Sequence, residues 1–185
     1  MRIIAGEYGG RRLKAVPGMK TRPTTDKVKE AMFNMIGPYF DGGQSLDLFA
    51  GSGGLSIEAV SRGITTATLI DHQYQAIKTI KDNIAVTKHP ERFNVYKNDA
   101  SRAIQVLARK GVQFDLVFFD PPYKQQQIVK MMTQLQEEHL LSQAATVVCE
   151  TNQEANLPLQ FAGFTGIKRA NYGITQITIY RFGEG

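Results

Sequence analysis

Asp47-Leu48-Phe49-Ala50-Gly51-Ser52-Gly53-Gly54-Leu55-Ser56 sets a glycine-rich turn between a short apolar run and a helical one, and the rest of the chain is read outward from it. Absent side chains let backbone N–H groups come close to a ligand, so a strand, turn and helix in this order predict a nucleotide or nucleoside site. Around the turn, Leu46 to Phe49 predicts a strand, Leu55 to Ser61 a helix closed by Gly63, and Thr66 to Ile70 a second strand. Gln73 to Thr87 predicts a helix with Ala76, Ile77, Ile80 and Ile84 on one face, and Asn94 to Lys97 a third strand. A helix over Ala103 to Arg109, a strand over Phe114 to Phe119 too apolar to have a wet face, a helix around Ile128 to Glu138 and a strand over Thr146 to Cys149 continue the rhythm. Such alternation predicts an α/β fold with a doubly wound, mostly parallel sheet whose site lies at the carboxyl ends of the strands. Ile174 to Tyr180 has no helix after it and is expected to add an antiparallel strand.

The chain has 185 residues, 42% hydrophobic and 21% charged, which fits one globular core and excludes a disordered or fibrous protein. No apolar run approaches the roughly 18 to 20 residues needed to cross a bilayer, and MRIIAGEYGGRR lacks the apolar stretch of a secretory signal. A cytoplasmic protein with no membrane partner is expected. Cys149 stands alone, so disulfide frameworks and cysteine-based metal clusters are excluded. His72, His89 and His139 have no ligand spacing, and no metal is expected.

The net charge of +5 is unevenly placed. Residues 1 to 30 hold eight of the 22 basic side chains (Arg2, Arg11, Arg12, Lys14, Lys20, Arg22, Lys27, Lys29) against Glu7, Asp26 and Glu30, while the remaining 155 residues hold 14 of each sign. That distribution suits a basic arm meeting a polyanion; from charge alone, an end that merely aids solubility stands equally open. Within this segment, residues flanking Gly9-Gly10 predict a hairpin, Pro17 to Thr25 an irregular connector, and Val28, Ala31, Met32, Met35 and Ile36 one apolar face of a helix ended by Gly37-Pro38. The expected organisation is a basic hairpin-and-helix extension over 1–44 and a main domain over 45–185.

Three further stretches carry chemistry. The dinucleotide fingerprint needs glycine at its sixth position, where Ser56 stands, and Asp47 would oppose a pyrophosphate, so a cationic ligand fits the turn better. Asp71 lies 20 residues after Gly51 at a strand end, the spacing at which a carboxylate grips ribose hydroxyls. Asn98-Asp99-Ala100 follows the third strand; Asp99 can accept from an adenine amino group or cap the next helix, and both readings stand. Asp120-Pro121-Pro122-Tyr123 ends the most apolar strand. Successive prolines give no backbone N–H and a fixed φ, so the turn leaves the sheet stiffly and aims acceptors outward. The Asp120 carboxylate and Pro121 carbonyl suit the two hydrogens of an exocyclic amine, and Tyr123 suits stacking on an extruded base, worth about 1 to 3 kcal/mol. An isolated Pro-Pro is ordinary loop punctuation; an acid before it and an aromatic after it, at a strand end in this fold, favour an amine methylation site.

With these residues together the sequence resembles the class I S-adenosylmethionine-dependent methyltransferases that act on exocyclic amines. The turn Asp47 to Gly53, including Phe49, Gly51 and Gly53, matches their cofactor loop, Asp71 the ribose acid, Asp99 and the adjoining Ala100 the adenine side, and Asp120 to Tyr123 the DPPY loop. Arg2-Ile3-Ile4-Ala5-Gly6, Gly10-Arg11-Arg12-Leu13 and Arg22-Pro23-Thr24-Thr25-Asp26 through Asn34 resemble more narrowly the RsmD-type 16S ribosomal RNA (guanine-N2) methyltransferases. That resemblance implies S-adenosylmethionine as cofactor and guanine N2 as the amine. It also implies ribosomal RNA or the assembled small subunit as partner, a monomer, and phosphate contacts by Arg2, Arg11, Arg12, Lys14 and Arg22. DNA or RNA methylation at adenine N6 or cytosine N4 and a noncatalytic RNA-binding protein on the same fold are the alternatives.

Overall fold

Three parallel strands hold the glycine turn. In the computed structural model, which describes residues 1–18, 24–121 and 125–183, β1 (Gln44–Asp47) pairs with β2 (Thr66–Asp71), and β2 with β3 (Phe93–Lys97). Arg22, Pro122 and Tyr123, each assigned a role above, lie outside the described residues, as does much of the connector. The chain divides into two compact units, Met1–Ala100 and Ser101–Gly185.

In the first unit, α1 (Asp26–Ile36) starts at Thr25, whose side chain accepts from the Val28 N–H at 3.3 Å, and ends at Gly37. Its methionine-bearing face is core, with Met32 and Phe33 fully buried. The turn after β1 leads to α2 (Gly54–Ser61), whose residues from Leu55 to Ser61 are all buried. After β2, α3 (Tyr74–Thr87) buries Ala76, Ile77, Ile80 and Ile84, the face its spacing marks. Strand register sets Asp47 opposite Leu69 and Asp71 opposite Lys97, so the carboxyl ends of the three strands finish on one rim.

The amino-terminal segment reverses as expected, but as one antiparallel bridge rather than a ladder. Arg2 pairs with Arg12, with the Ile3 N–H donating to the Arg11 carbonyl at 2.8 Å and the Gly10 N–H to the Ile3 carbonyl at 2.7 Å. Between them the chain detours to the end of α2, where the Glu7 N–H meets the Ser61 carbonyl at 2.8 Å. Gly6 makes that approach possible: φ is +85°, and a Cβ there would lie 1.9 Å from the Ser61 oxygen. Ile3, Tyr8 and Leu13 are buried, so this basic segment is packed structure and not a free tail.

In the second unit, α4 (Ala100–Lys110, beginning at the boundary) precedes β4 (Phe114–Phe119), α5 (Gln125–Glu137) and β5 (Leu141–Asn152). β4 pairs parallel with β5, and β8 (Thr175–Phe182) pairs antiparallel with β5, as the final run predicts. β7 (Phe164–Tyr172) and the short β6 (Gln160–Phe161) extend the antiparallel part; the sequence reading places no strand there. β7 buries little beyond Phe164, and its register shifts between Gly166 and Lys168, so neither alternation nor an apolar run marks it. β5 is longer than Thr146 to Cys149 because Leu141 to Ala145, with polar Ser142 and Gln143, and polar Glu150-Thr151-Asn152 join it, with Ala144 at φ +66° and a register shift opposite. The α/β class and the change from parallel to antiparallel pairing agree with expectation. Among the described residues no helix is long and apolar enough to cross a membrane.

Candidate cofactor site and catalytic loop

Asp71 closes the glycine turn from below. Its Oδ2 accepts from the Gly51 N–H at 2.9 Å and its Oδ1 from the Gln73 N–H at 2.9 Å, which leaves each oxygen a further acceptor site for a ligand hydroxyl. The turn is built from its own backbone: the Ala50 N–H reaches the Ile70 carbonyl at 2.9 Å, and the Gly53 N–H the Ala50 carbonyl at 2.8 Å. Asp47 is buried, with Oδ1 accepting from the Phe49 N–H at 3.0 Å, so its charge sits beneath the turn; Phe49 itself is half-buried.

The two turn glycines serve different ends. Gly51 has φ +58°, and a Cβ there would meet nothing within 4 Å, so its backbone faces open space. Gly53 has φ +83°, and its Cβ would lie 3.1 Å from Leu69 Cδ2 and 3.5 Å from Ile80 Cγ1, so it lets α2 pack on the sheet. Ser56, at the sixth fingerprint position, is fully buried.

Past β3, the Asn98 N–H donates to the Asp71 carbonyl at 3.0 Å, and Asn98 Oδ1 accepts from the Asp99 N–H at 2.8 Å. Asp99 is exposed directly before α4, with Ala100 buried behind it. The structure thus gathers Asp47, Gly51, Gly53, Asp71, Asp99 and Ala100 on the rim of three adjacent strands. An open backbone face over Gly51, a carboxylate with spare acceptor sites and a buried negative charge fit a nucleoside carrying a positive group. Among the described residues no cluster of His, Cys, Asp or Glu is placed to hold a metal.

In the second unit, β4 buries Phe114, Leu116, Val117, Phe118 and Phe119, then delivers Asp120 exposed and Pro121 half-exposed at its carboxyl end. A carboxylate carried on such a wall has its backbone fixed while its head group reaches solvent. Cys149, on the neighbouring strand, is fully buried, and burial pushes its thiol far above the ordinary range, so it is an inert core residue.

The basic residues of the amino-terminal segment differ in their commitments. Arg11 donates to the Val86 carbonyl at 3.0 Å and the Thr87 carbonyl at 3.5 Å, and lies 5.3 Å from the Tyr8 ring centre, which closes the carboxyl end of α3. Arg2 meets Asp26 at 3.5 Å and Lys14 meets Asp82 at 3.7 Å, both on the surface, and Arg12 is exposed. Arg169 on β7 is tied to the Leu157 carbonyl at 2.5 Å and Thr178 at 3.1 Å.

Two groups that sequence reasoning passes over hold the segment in place. Glu58 on α2 is fully buried, accepting from the Ile4 N–H at 2.8 Å and the Ala5 N–H at 3.1 Å, from Arg62 Nε at 2.8 Å, and lying 3.5 Å from Lys29 Nζ. Lys29 also donates to the Arg2 carbonyl at 2.7 Å, and burial, opposed by Glu58 and Asp26, lowers its pKa. Around Tyr8, the hydroxyl lies 2.8 Å from His89 Nδ1 and 2.7 Å from Arg92 Nη1, while Arg92 binds Glu7 at 2.6 Å. The signal for Glu58 is the one charged residue of α2, with Arg62 four residues on.

The sequence model of the family described as conserved hypothetical protein 95 matches residues 1–181. The Bacillus subtilis protein described as "Putative rRNA methyltransferase YlbH" is 46% identical over 181 residues, 98% of each chain. The Escherichia coli protein "Ribosomal RNA small subunit methyltransferase D" is 35% identical over 158 residues, 85% of this chain and 78% of that one. The solved structure titled "Putative methyltransferase yhhF from Escherichia coli" superposes with a TM-score of 0.83 at 32% identity, covering 100% of this chain and 99% of that chain. With the family matched nearly end to end and curated members at this level of identity, the chain belongs to the ribosomal RNA small subunit methyltransferase D family.

Proposed function

We propose that this protein methylates the exocyclic N2 amine of a guanine in small-subunit ribosomal RNA, using S-adenosylmethionine. The observation that carries the cofactor half is the Asp71 carboxylate bound to Gly51 beneath an open backbone face. When bound, the cofactor supplies an electrophilic methyl group on a positively charged sulfur. Asp71 offers its remaining acceptor sites to ribose hydroxyls, the Gly51 backbone admits the ligand closely, Asp47 contributes negative charge from beneath the turn, and Asp99 accepts on the adenine side.

Asp120 and the Pro121 carbonyl accept the two hydrogens of the guanine amine. This turns the nitrogen lone pair away from the ring and toward the incoming carbon. With the cofactor bound, the methyl would pass to the amine as the S–C bond breaks and its electron pair stays on sulfur, and the amine would give up a proton to water, so Asp120 works by positioning. Pro122 stiffens the bend, and Tyr123 stacks on the extruded base.

Residues 1–44 serve as the RNA-binding extension of a catalytic domain over 45–185. Arg2, Arg12 and Lys14 exchange their surface partners for phosphates at little cost, since exposed pairs contribute only about 0–1 kcal/mol. Arg22 completes the set, and Arg11, whose Nη1 is given to α3, offers its other N–H groups to a phosphate. A ribosomal RNA substrate supports a cytoplasmic protein.

The test is transfer of labelled methyl from S-adenosylmethionine into naked ribosomal RNA, assembled small subunits, DNA and protein, followed by nucleoside analysis. N2-methylguanosine from the RNA or the subunit is expected. Label in adenine N6, cytosine N4, DNA or protein alone contradicts the proposal.

A further inference from the structure

The amino-terminal segment and the glycine turn share one side chain. Asn83, on α3 and 1% exposed, accepts from the Lys14 N–H at 2.8 Å and returns a bond from Nδ2 to the Lys14 carbonyl at 2.9 Å. The second hydrogen of the same Nδ2 goes to the Ser52 carbonyl at 2.8 Å. Ser52 stands between the left-handed residues Gly51 and Gly53, so this bond fixes the peptide whose orientation aims the turn. Ser52 Oγ also lies 3.9 Å from Met1 Sδ, a second contact between turn and segment. The turn is thus held from one side by Asp71 and from the other by Asn83, and the second hold passes directly to the backbone of Lys14.

We propose that Asn83 is a positioning residue that makes cofactor affinity depend on the seating of the amino-terminal segment. Its amide has two hydrogens and uses both: if Lys14 lifts away, a buried donor and acceptor lose their partners, and the side chain is no longer held against Ser52. An unpaired buried amide is costly, so the seated segment and the formed turn stabilise each other. The inference rests on the methyltransferase reading of the turn. It goes beyond that reading by giving a role to a residue that touches neither cofactor nor RNA.

The experiment is calorimetric titration of S-adenosylhomocysteine into the wild-type protein and into Asn83→Ala, at a temperature where both are folded by circular dichroism. Asn83→Ala is expected to weaken binding about tenfold, the scale of its one hydrogen bond to the turn. Ile84→Val, which loosens the packing of the adjacent position on α3, is expected to stay within about twofold of wild type. Tyr8→Phe, which removes the hydroxyl that joins the segment to His89 and Arg92, is expected to weaken binding in the wild-type background and to add nothing in Asn83→Ala. Equal losses in Asn83→Ala and Ile84→Val, no loss in Asn83→Ala, or independent losses for Tyr8→Phe and Asn83→Ala overturn the inference alone. A wild-type protein that does not bind S-adenosylhomocysteine overturns the methyltransferase reading and this inference with it.

Discussion

Gly51 and Asp71 stand 20 residues apart in the chain and are joined by a 2.9 Å hydrogen bond from the glycine N–H to the carboxylate. One acid thereby shapes the turn, and in the proposed reading its remaining acceptor sites meet the ligand. Asp71→Asn keeps one acceptor but loses the charge, and it is expected to weaken S-adenosylhomocysteine binding about 10- to 100-fold, the range for hydrogen bonds to charged groups. Calorimetry reads this directly, while ribosomal RNA binding should be unchanged.

Gly51→Ala and Gly53→Ala are expected to separate ligand access from folding. Both force alanine to a left-handed φ, at roughly 1–2 kcal/mol. Only Gly53→Ala also drives a methyl against Leu69, so it should lower the melting temperature more. Gly51→Ala should bear the backbone strain alone, stay folded and melt above Gly53→Ala, and lose cofactor affinity, because its methyl enters the open face. Thermal melts with ligand titrations check the contrast.

The buried charges of Glu58, Lys29 and Arg62 predict a large cost for removing one partner. Glu58→Gln leaves two cations and should destabilise the protein by about 3–5 kcal/mol in chemical denaturation. Replacing Glu58 and Lys29 together should cost less than Glu58→Gln alone, since the variant retains one fewer uncompensated charge.

How much of this was legible in the sequence depends on what marks each residue. The glycine turn, Asp71 and Asp120 are placed by local chemistry: a turn needing left-handed φ, an acid at a fixed distance, and an acid ending an apolar strand. The helices are placed by their apolar stripes. What was not legible depends on distant pairing. β7 is hidden because it buries few side chains, and the docking of the amino-terminal segment is hidden because its anchors, Glu58 and Asn83, lie far along the chain. Asn83 leaves a trace, a polar residue on the buried face of α3 beside Ile80 and Ile84, but nothing in the sequence says which carbonyls it reaches. Arg11 looks like its neighbour Arg12 and both are exposed, yet Arg11 alone of the two closes the end of α3.

Acid should loosen the amino-terminal segment. The hydrogen bond from Arg92 holds the Glu7 pKa below its ordinary value of 4.5, so the pair stabilises the folded state above that value and its contribution is lost as pH falls through the lowered one. Glu7→Gln should therefore be less stable than wild type at neutral pH, with the difference shrinking below about pH 4.5. Melting temperatures of the two proteins across pH 3 to 7 read the difference, which for an exposed pair is small.

Asp120→Ala tests the central claim most directly, by single-turnover methylation of small-subunit ribosomal RNA beside a titration of S-adenosylhomocysteine. The account predicts cofactor binding within about twofold of wild type and methyl transfer reduced by at least about 100-fold, the scale of a lost positioning contact. Normal turnover by Asp120→Ala would contradict it.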